Sequence, residues 1–279
     1  MAAASLSGHV AIITGAGRGF GQAIAMRLAA EGAAVTLTSR TAPQLAESVA
    51  RIEANGGKAL AVAGDVTRAE DVARVVSRTR EKFGPVTLLV SNAGVPDPFG
   101  PLWEIDPERW WAAQAVHIRA PMLFMREVMP EMVARRAGCI IVVSALASRV
   151  VAPNLSAYCV GKIAQVRLVE QAAAEAQEHG VKVFAIDPGF VITALAEATM
   201  SSPDAQRWLP GMVKRLRERK AASGAEAPRD LERCAQRCVD LASGRYDALS
   251  GKYMELDDDL EAWLAGKPPS GRPAPGAKT

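Results

Sequence analysis

Short apolar runs alternate with longer amphipathic stretches from residue 9 almost to the end of the chain. Residues 9–14 are apolar and β-branched on both faces, the pattern of a strand buried on two sides. Residues 19–30 follow with Ala, Ile, Met and Leu at helical spacing. The same alternation predicts further strands at 34–39, 58–63, 86–91, 139–143, 181–186 and 251–256. Between them it predicts helices at 43–54, 68–83, 106–136 and 156–179. The helix at 106 carries its own start signal, Asp106 at the cap and Pro107 in the first turn. Pro121 and Pro130 predict irregularity inside it.

Strands joined by helices of this length imply right-handed βαβ units. The expected fold is α/β: a Rossmann-like, doubly wound parallel sheet of about seven strands in a single domain. No composition break divides the chain, so that domain is expected over 1–262, with a Pro/Gly-rich disordered tail over 263–279. Residues 193–228 fit the alternation badly. They are long for a connection and mix Met, Pro and Trp208 with a basic helix, as lids over sites do.

Composition narrows the function classes. With 279 residues, 49% of them hydrophobic and 23% charged, the chain can bury a sizeable core. A net charge of +3 gives no reason to expect nucleic acid or membrane as a partner. The basic run 214–220 reads as the solvated face of a helix. No stretch approaches the roughly 20 apolar residues that cross a bilayer. Residues 1–8 lack the basic start and apolar run of a secretory signal, so a cytoplasmic location is expected. Cys139, Cys159, Cys234 and Cys238 form no Cys-x-x-Cys pair and read as thiols in a reducing compartment. No metal is expected, and Asp257, Asp258 and Asp259 read as a charged cap on the chain's final turn.

Two constellations carry chemistry. The first is Thr14-Gly15-Ala16-Gly17-Arg18-Gly19-Phe20-Gly21, between the first strand and the first helix. Missing side chains let a backbone turn tightly and approach a pyrophosphate, whose charge meets the helix N-terminus. The second is Tyr158 and Lys162, whose i,i+4 spacing puts a phenol and an ammonium on one helical face behind Ser144. An ammonium about 4 Å away contributes roughly 4 kcal/mol at an effective dielectric of 20. That is about three pKa units, so Lys162 is expected to bring Tyr158 down towards neutral pH.

With these residues the chain resembles the short-chain dehydrogenase/reductase family over about residues 7–262. The resemblance rests on Thr14-Gly-x-x-x-Gly-x-Gly21, Asp65-Val66, Ser91-Asn92-Ala93-Gly94, Ser144, Tyr158-x-x-x-Lys162 and Pro188-Gly189. It implies an NAD(P)-dependent oxidoreductase moving a hydride between nicotinamide and a carbonyl or secondary alcohol. Tyr158 would then be the acid and base, Lys162 would tune it and hold the nicotinamide ribose, and Ser144 would fix the substrate oxygen. Asp65 would bond the adenine amino group and Val66 would pack on its ring. Asn92 would steady the sheet while Ala93 and Gly94 let the cofactor pass. Pro188 and Gly189 would shape the nicotinamide pocket, and Ile192 and Thr193 would contact the carboxamide. Leu146, Val151 and Phe190, with Trp103 and Trp208, are expected as apolar substrate wall. The resemblance also implies a homodimer or homotetramer built on helices 106–136 and 156–179.

Three features modify that expectation. Ser39 stands where NAD-using members of the family carry Asp, and Arg40 and Arg18 lie close by in sequence. Guanidiniums bind phosphate bidentately, so NADP(H) is expected, with NAD(H) as the other option. His117 stands where the family commonly has an Asn that holds a relay water. His can hold water and shuttle protons, so it is a candidate fourth catalytic residue. The same departure leaves room for a catalytically impaired nucleotide-binding sensor or scaffold, or for an epimerase or dehydratase.

Overall fold

The computed structural model describes residues 6–222, 227–267 and 269. Seven strands form one sheet: β1 (Val10–Thr14), β2 (Ala34–Thr38), β3 (Lys58–Ala61), β4 (Leu88–Ser91), β5 (Gly138–Val143), β6 (Val181–Ile186) and β7 (Tyr253–Met254). Their order is β3-β2-β1-β4-β5-β6-β7, and every pairing is parallel. This is the expected doubly wound architecture. The chain reverses its winding between β1 and β4, which opens a crevice at the carboxyl edge of the sheet.

Strand periodicity explains the two-sided core. Ala11 and Ile13 face one layer with Val35, Leu37, Val90 and Ile141. Ile12 faces the other with Leu89, Ile140, Val142 and Val183. Helices α1 (Gly19–Ala30), α2 (Ala42–Ala54) and α10 (Ala227–Ala242) cover the first face. Helices α3 (Ala69–Phe83), α5 (Ala120–Arg135) and α6 (Ser156–Ala176) cover the second. Cys234 and Cys238 lie in the first layer and Cys139 is buried beside them, while Cys159 is half-buried. Asp259 caps α11 (Leu260–Leu264) by accepting from the N–H groups of Glu261 and Ala262, as a charged cap should.

The structure revises several boundaries. The strands expected at 86–91 and 251–256 shorten to β4 and β7. The helix expected over 106–136 is α4 (Pro107–Gln114), a wide turn at Ala115–Arg119, and then α5. In that turn the N–H of Ala120 bonds to the carbonyl of Ala115, five residues back. The cause is local. Pro121 has no N–H to give to the carbonyl of His117, four residues back, so the ladder opens to π spacing. Residues 193–222 form α7 (Ala194–Ser201), α8 (Pro203–Trp208) and α9 (Pro210–Ala222). Most of the tail expected from 263 lies outside the described residues, and α11 runs through its first two positions.

Candidate active site

The turn after β1 is shaped by close approach. Gly15 has φ +65, and a Cβ on Gly21 would sit 2.5 Å from the carbonyl oxygen of Gly15. Only glycine at 21 lets α1 begin against that turn. Asn92 clamps the same turn from β4: its Nδ2 donates to the Thr14 carbonyl at 2.9 Å, and its N–H donates to Thr14 Oγ1. Ala93 N–H also reaches Thr14 Oγ1 at 3.0 Å. Arg18 at the N-cap of α1 supplies no side-chain cap. The first turn of α1 therefore keeps N–H groups for an anion, and a dinucleotide's pyrophosphate fits this cradle.

Ser39 follows β2 beside the same turn. Its Oγ lies 3.1 Å from where a Cβ on Gly17 would be, and Gln44 Oε1 is 3.0 Å from that point. Arg18 and Arg40 are both exposed at this end of the crevice. Asp65 accepts at Oδ1 from the N–H and Oγ1 of Thr67, which fixes its carboxylate at the turn after β3. Thr193, with Ile192 before it, reaches back to the glycine turn: its Cγ2 is 3.3 Å from the Cβ position of Gly19. Phe20 packs against the core, and Val66 packs on the far layer.

Ser144, Tyr158 and Lys162 come together where β5 ends and α6 begins. Ser144 is buried, and its Oγ donates to the main-chain carbonyl of Lys162 at 3.0 Å. Lys162 is only 4% exposed, and its Nζ donates to Val143 O at 3.0 Å and Gln165 Oε1 at 3.2 Å. The ammonium lies 5.5 Å from the centre of the Tyr158 ring. Burial pushes Lys162 down to about 7, with the Asp187 carboxylate pulling the other way.

One electrostatic expectation fails. Lys162 does not lower Tyr158 in this arrangement. Burial raises the phenol well above its ordinary value, and the charge of Asp187 adds to the rise. Desolvation wins, and the ammonium is aimed at two acceptors of its own, Val143 O and Gln165 Oε1.

His117 joins this group through the wide turn before α5. It is fully buried, its ring meets Tyr158 edge-on at 5.5 Å, and its Nε2 bonds to Val95 O at 2.9 Å. Burial and the nearby Lys162 charge push it down to about 3, against the Val95 bond. It is neutral at physiological pH.

Of the expected substrate wall, Leu146, Val151 and Phe190 are exposed by 50%, 96% and 39%. Trp103, at 85%, stands in solvent. A tighter apolar cluster lies over Tyr158: Phe99, Ala152, Leu155, Cys159, Ala205, Leu209, Met212 and Val213. Its last four members come from α8, α9 and the residue between them. Asn154 holds that lid by donating to Trp208 O at 3.0 Å. The basic run is not wholly solvated: Lys220 pairs with Glu197 at 2.8 Å, and Arg219 lies over the Phe190 ring at 4.5 Å.

Sequence reasoning missed two members of the site. Gln165 is an acceptor for Lys162, and its i+3 position on the same helix face was the available signal. Asp187 closes β6, accepts from Leu146 N at 3.0 Å, and is pushed up to about 6 by burial, with the N–H groups of Leu146 and Gly189 opposing. A lone carboxylate after an apolar strand gave no comparable cue. Pro188 and Gly189 follow it, and Gly189 lies against Leu256 and Asp230.

The family profile described as short chain dehydrogenase matches residues 9–204. A short chain dehydrogenase of Pseudocercospora fijiensis is 34% identical over 265 residues, covering 93% of this chain and 83% of that protein. The crystal structure of a metagenomic short-chain oxidoreductase in complex with NADP is 38% identical with TM-score 0.64, covering 67% of this chain and 84% of that one. A gluconate 5-dehydrogenase from Burkholderia cenocepacia, in complex with NADP and tartrate, superimposes with TM-score 0.76 at 25% identity, covering 93% and 98%.

Proposed function

Given that this chain belongs to the short-chain dehydrogenase/reductase family and is an NAD(P)-dependent oxidoreductase, we propose that it transfers a hydride between NADP(H) and a carbonyl or secondary alcohol, with Tyr158 as acid and base. The observation that carries this reading is the linkage of Ser144, Lys162 and Tyr158 at the end of β5, beside the uncapped start of α1.

The nicotinamide cofactor supplies or takes the hydride when bound. The residues do the rest. The α1 N-terminus and the turn at Gly15–Gly21 hold the pyrophosphate. Asp65, Val66, Asn92, Ala93 and Gly94 line the adenosine and ribose side, and Pro188, Gly189, Ile192 and Thr193 line the nicotinamide side. Tyr158 delivers the proton to the oxygen that gains charge, and Ser144 orients that oxygen. A phenol raised by burial keeps its proton until an alkoxide forms beside it. Lys162, poised near 7, then restores the proton. The apolar cover from α8 and α9 favours a substrate with an apolar body.

NADP(H) over NAD(H) is supported by the residues after β2: Ser39 and Arg40, with Arg18 across the turn, and no carboxylate to repel a 2′-phosphate. The gluconate 5-dehydrogenase and the metagenomic short-chain oxidoreductase among the structural relatives are both in complex with NADP. A homodimer or homotetramer is supported by exposed Trp111, Met122, Val160 and Ile163 on α4, α5 and α6. No described helix is long and apolar enough to cross a membrane. The free thiols of Cys139, Cys159, Cys234 and Cys238 support a reducing, cytoplasmic location.

The test is kinetics on a carbonyl panel with NADPH and NADH in parallel. Arg40→Ala should weaken NADPH by roughly tenfold or more, the worth of one charge-assisted bond, and leave NADH nearly unchanged. Equal losses would end the NADP assignment.

A further inference from the structure

β6 ends in a carboxylate that holds two turns at once. Asp187 donates its N–H to Met254 O at 2.7 Å, so its main chain is fixed to β7. Its Oδ1 accepts from Leu146 N–H at 3.0 Å, and the N–H of Gly189 also bonds the carboxylate. Leu146 opens the short 3₁₀ turn Leu146–Ser148, two residues after Ser144. Ala145, at its N-cap, offers that turn no side-chain acceptor. The first N–H of the turn is therefore satisfied from the end of β6, by Asp187. Ser148 Oγ and Tyr253 Oη are buried close by, yet neither bonds to Asp187.

A second carboxylate holds the other end of the same segment. Asp230 of α10 accepts from Phe190 N–H at 3.2 Å and pairs with Arg233 at 3.4 Å. Residues 187–190 thus lie between two carboxylates. The outer one, backed by an arginine, anchors the segment to α10. The inner one ties it to the turn that carries Leu146. Leu146 and Phe190 are both candidate substrate wall, so the inner tie sets one wall residue relative to the other.

We propose that Asp187 is a specificity-determining positioning residue: by bonding Leu146 N–H it holds the Leu146 side chain as a fixed apolar wall against which the body of the substrate is selected. This deepens and rests on the reading of the crevice as a carbonyl or alcohol site. The tie is sensitive to acid. Facing Asp187 are Lys162 and Tyr158 of α6, Tyr253 of β7, and Glu255 just beyond it, which pairs with Arg149 at 3.5 Å. Burial, with the Glu255 charge, pushes the Asp187 carboxyl up to about 6, against the two N–H groups and Lys162. A neutral carboxyl accepts a weaker hydrogen bond than a carboxylate, so the wall loosens as pH falls through 6.

The test reads selectivity in the full-length protein: kcat/KM for the best panel substrate divided by that for its next smaller homologue, with NADPH at pH 8. A ratio cancels any effect on the proton-transfer steps that both substrates share. Asp187→Ala should lower it roughly tenfold, the low end of what one apolar wall contact discriminates. Leu146→Ala should lower it as much, and the double variant should lose no more than either alone. Asp187→Asn keeps the acceptor oxygen without the charge and should stay within about threefold of the parent. At pH 5 the parent ratio should fall to the Asp187→Asn level, while that of Asp187→Asn should be flat from pH 5 to 8. Amide exchange at Leu146, which needs no substrate, should speed up roughly tenfold in Asp187→Ala. Additive losses in the double variant, an undiminished ratio in Asp187→Ala, or unchanged protection of Leu146 would overturn the proposal. Should Asp187→Ala not fold, Asp187→Asn decides alone: a ratio that still falls between pH 8 and pH 5 overturns it. A parent that turns over nothing in the panel overturns the hydride-transfer reading and takes the specificity role with it, while Leu146 exchange still reports the tie.

Discussion

Ser144 Oγ donates to the main-chain carbonyl of Lys162 at 3.0 Å, so the first residue after β5 is tied to the second turn of α6. The bond fixes the spacing between strand end and helix. It also leaves the two lone pairs of Oγ free to accept, while donation to a substrate oxygen requires the hydroxyl to rotate. Ser144→Ala should lower kcat by roughly 100-fold, the worth of one oxyanion-type donor, while NADPH affinity stays within a few-fold. Ser144→Thr, which retains the hydroxyl, should recover most of the activity. Steady-state kinetics and cofactor fluorescence titration check both.

Lys162 predicts a conflict between function and stability. Its folded value lies near 7 and its ordinary value is 10.5. The unfolded chain therefore binds more protons between those values, and stability should rise with pH across that window. Below pH 7 the burial cost is present in full. Lys162→Met removes the charge but also leaves Val143 O and Gln165 Oε1 without their donor. The net expectation is a gain on the order of 1 kcal/mol at pH 7, or a rise in Tm of about 2–4 °C. The gain should shrink towards pH 10 and come with loss of turnover. Thermal melts from pH 6 to 10 measure it; a variant less stable at pH 7 than at pH 10 relative to the parent would contradict this expectation.

Gly21 is a packing requirement with a functional consequence. Any Cβ there meets the Gly15 carbonyl at 2.5 Å and Asn92 Nδ2 at 2.6 Å, both fixed groups. Gly21→Ala should cost about 1–3 kcal/mol in stability and weaken cofactor binding by at least tenfold, because the turn must open. Denaturant unfolding and NADPH titration on the same protein separate the two effects.

The sheet, its parallel order and most elements were legible because buried strands and amphipathic helices leave different periods in the sequence. The strands β4 and β7 are shorter than the runs that suggested them, because residue pairing with the neighbouring strands covers only Leu88–Ser91 and Tyr253–Met254. The π turn at Ala115–Arg119 was signalled by Pro121, but the sequence does not say on which side of a proline a helix relaxes. Chemistry borne by side-chain spacing, as in Tyr158 and Lys162, could be read directly. Chemistry borne by burial could not: the sign of the Tyr158 shift, the neutrality of His117 and the carboxylate of Asp187 depend on what covers them. The lid from α7 to α9 was anticipated as an insertion, while its seat over Tyr158 required the fold.

The central claim is that the Tyr158 hydroxyl carries the proton, and Tyr158→Phe addresses it most directly. NADPH binding and turnover should be measured on the same preparation with a carbonyl substrate identified in the panel. The NADPH Kd should stay within about threefold of the parent while kcat falls by roughly 1000-fold, as expected when a general acid is removed. A Tyr158→Phe protein that binds NADPH and turns over at the parent rate would contradict the claim.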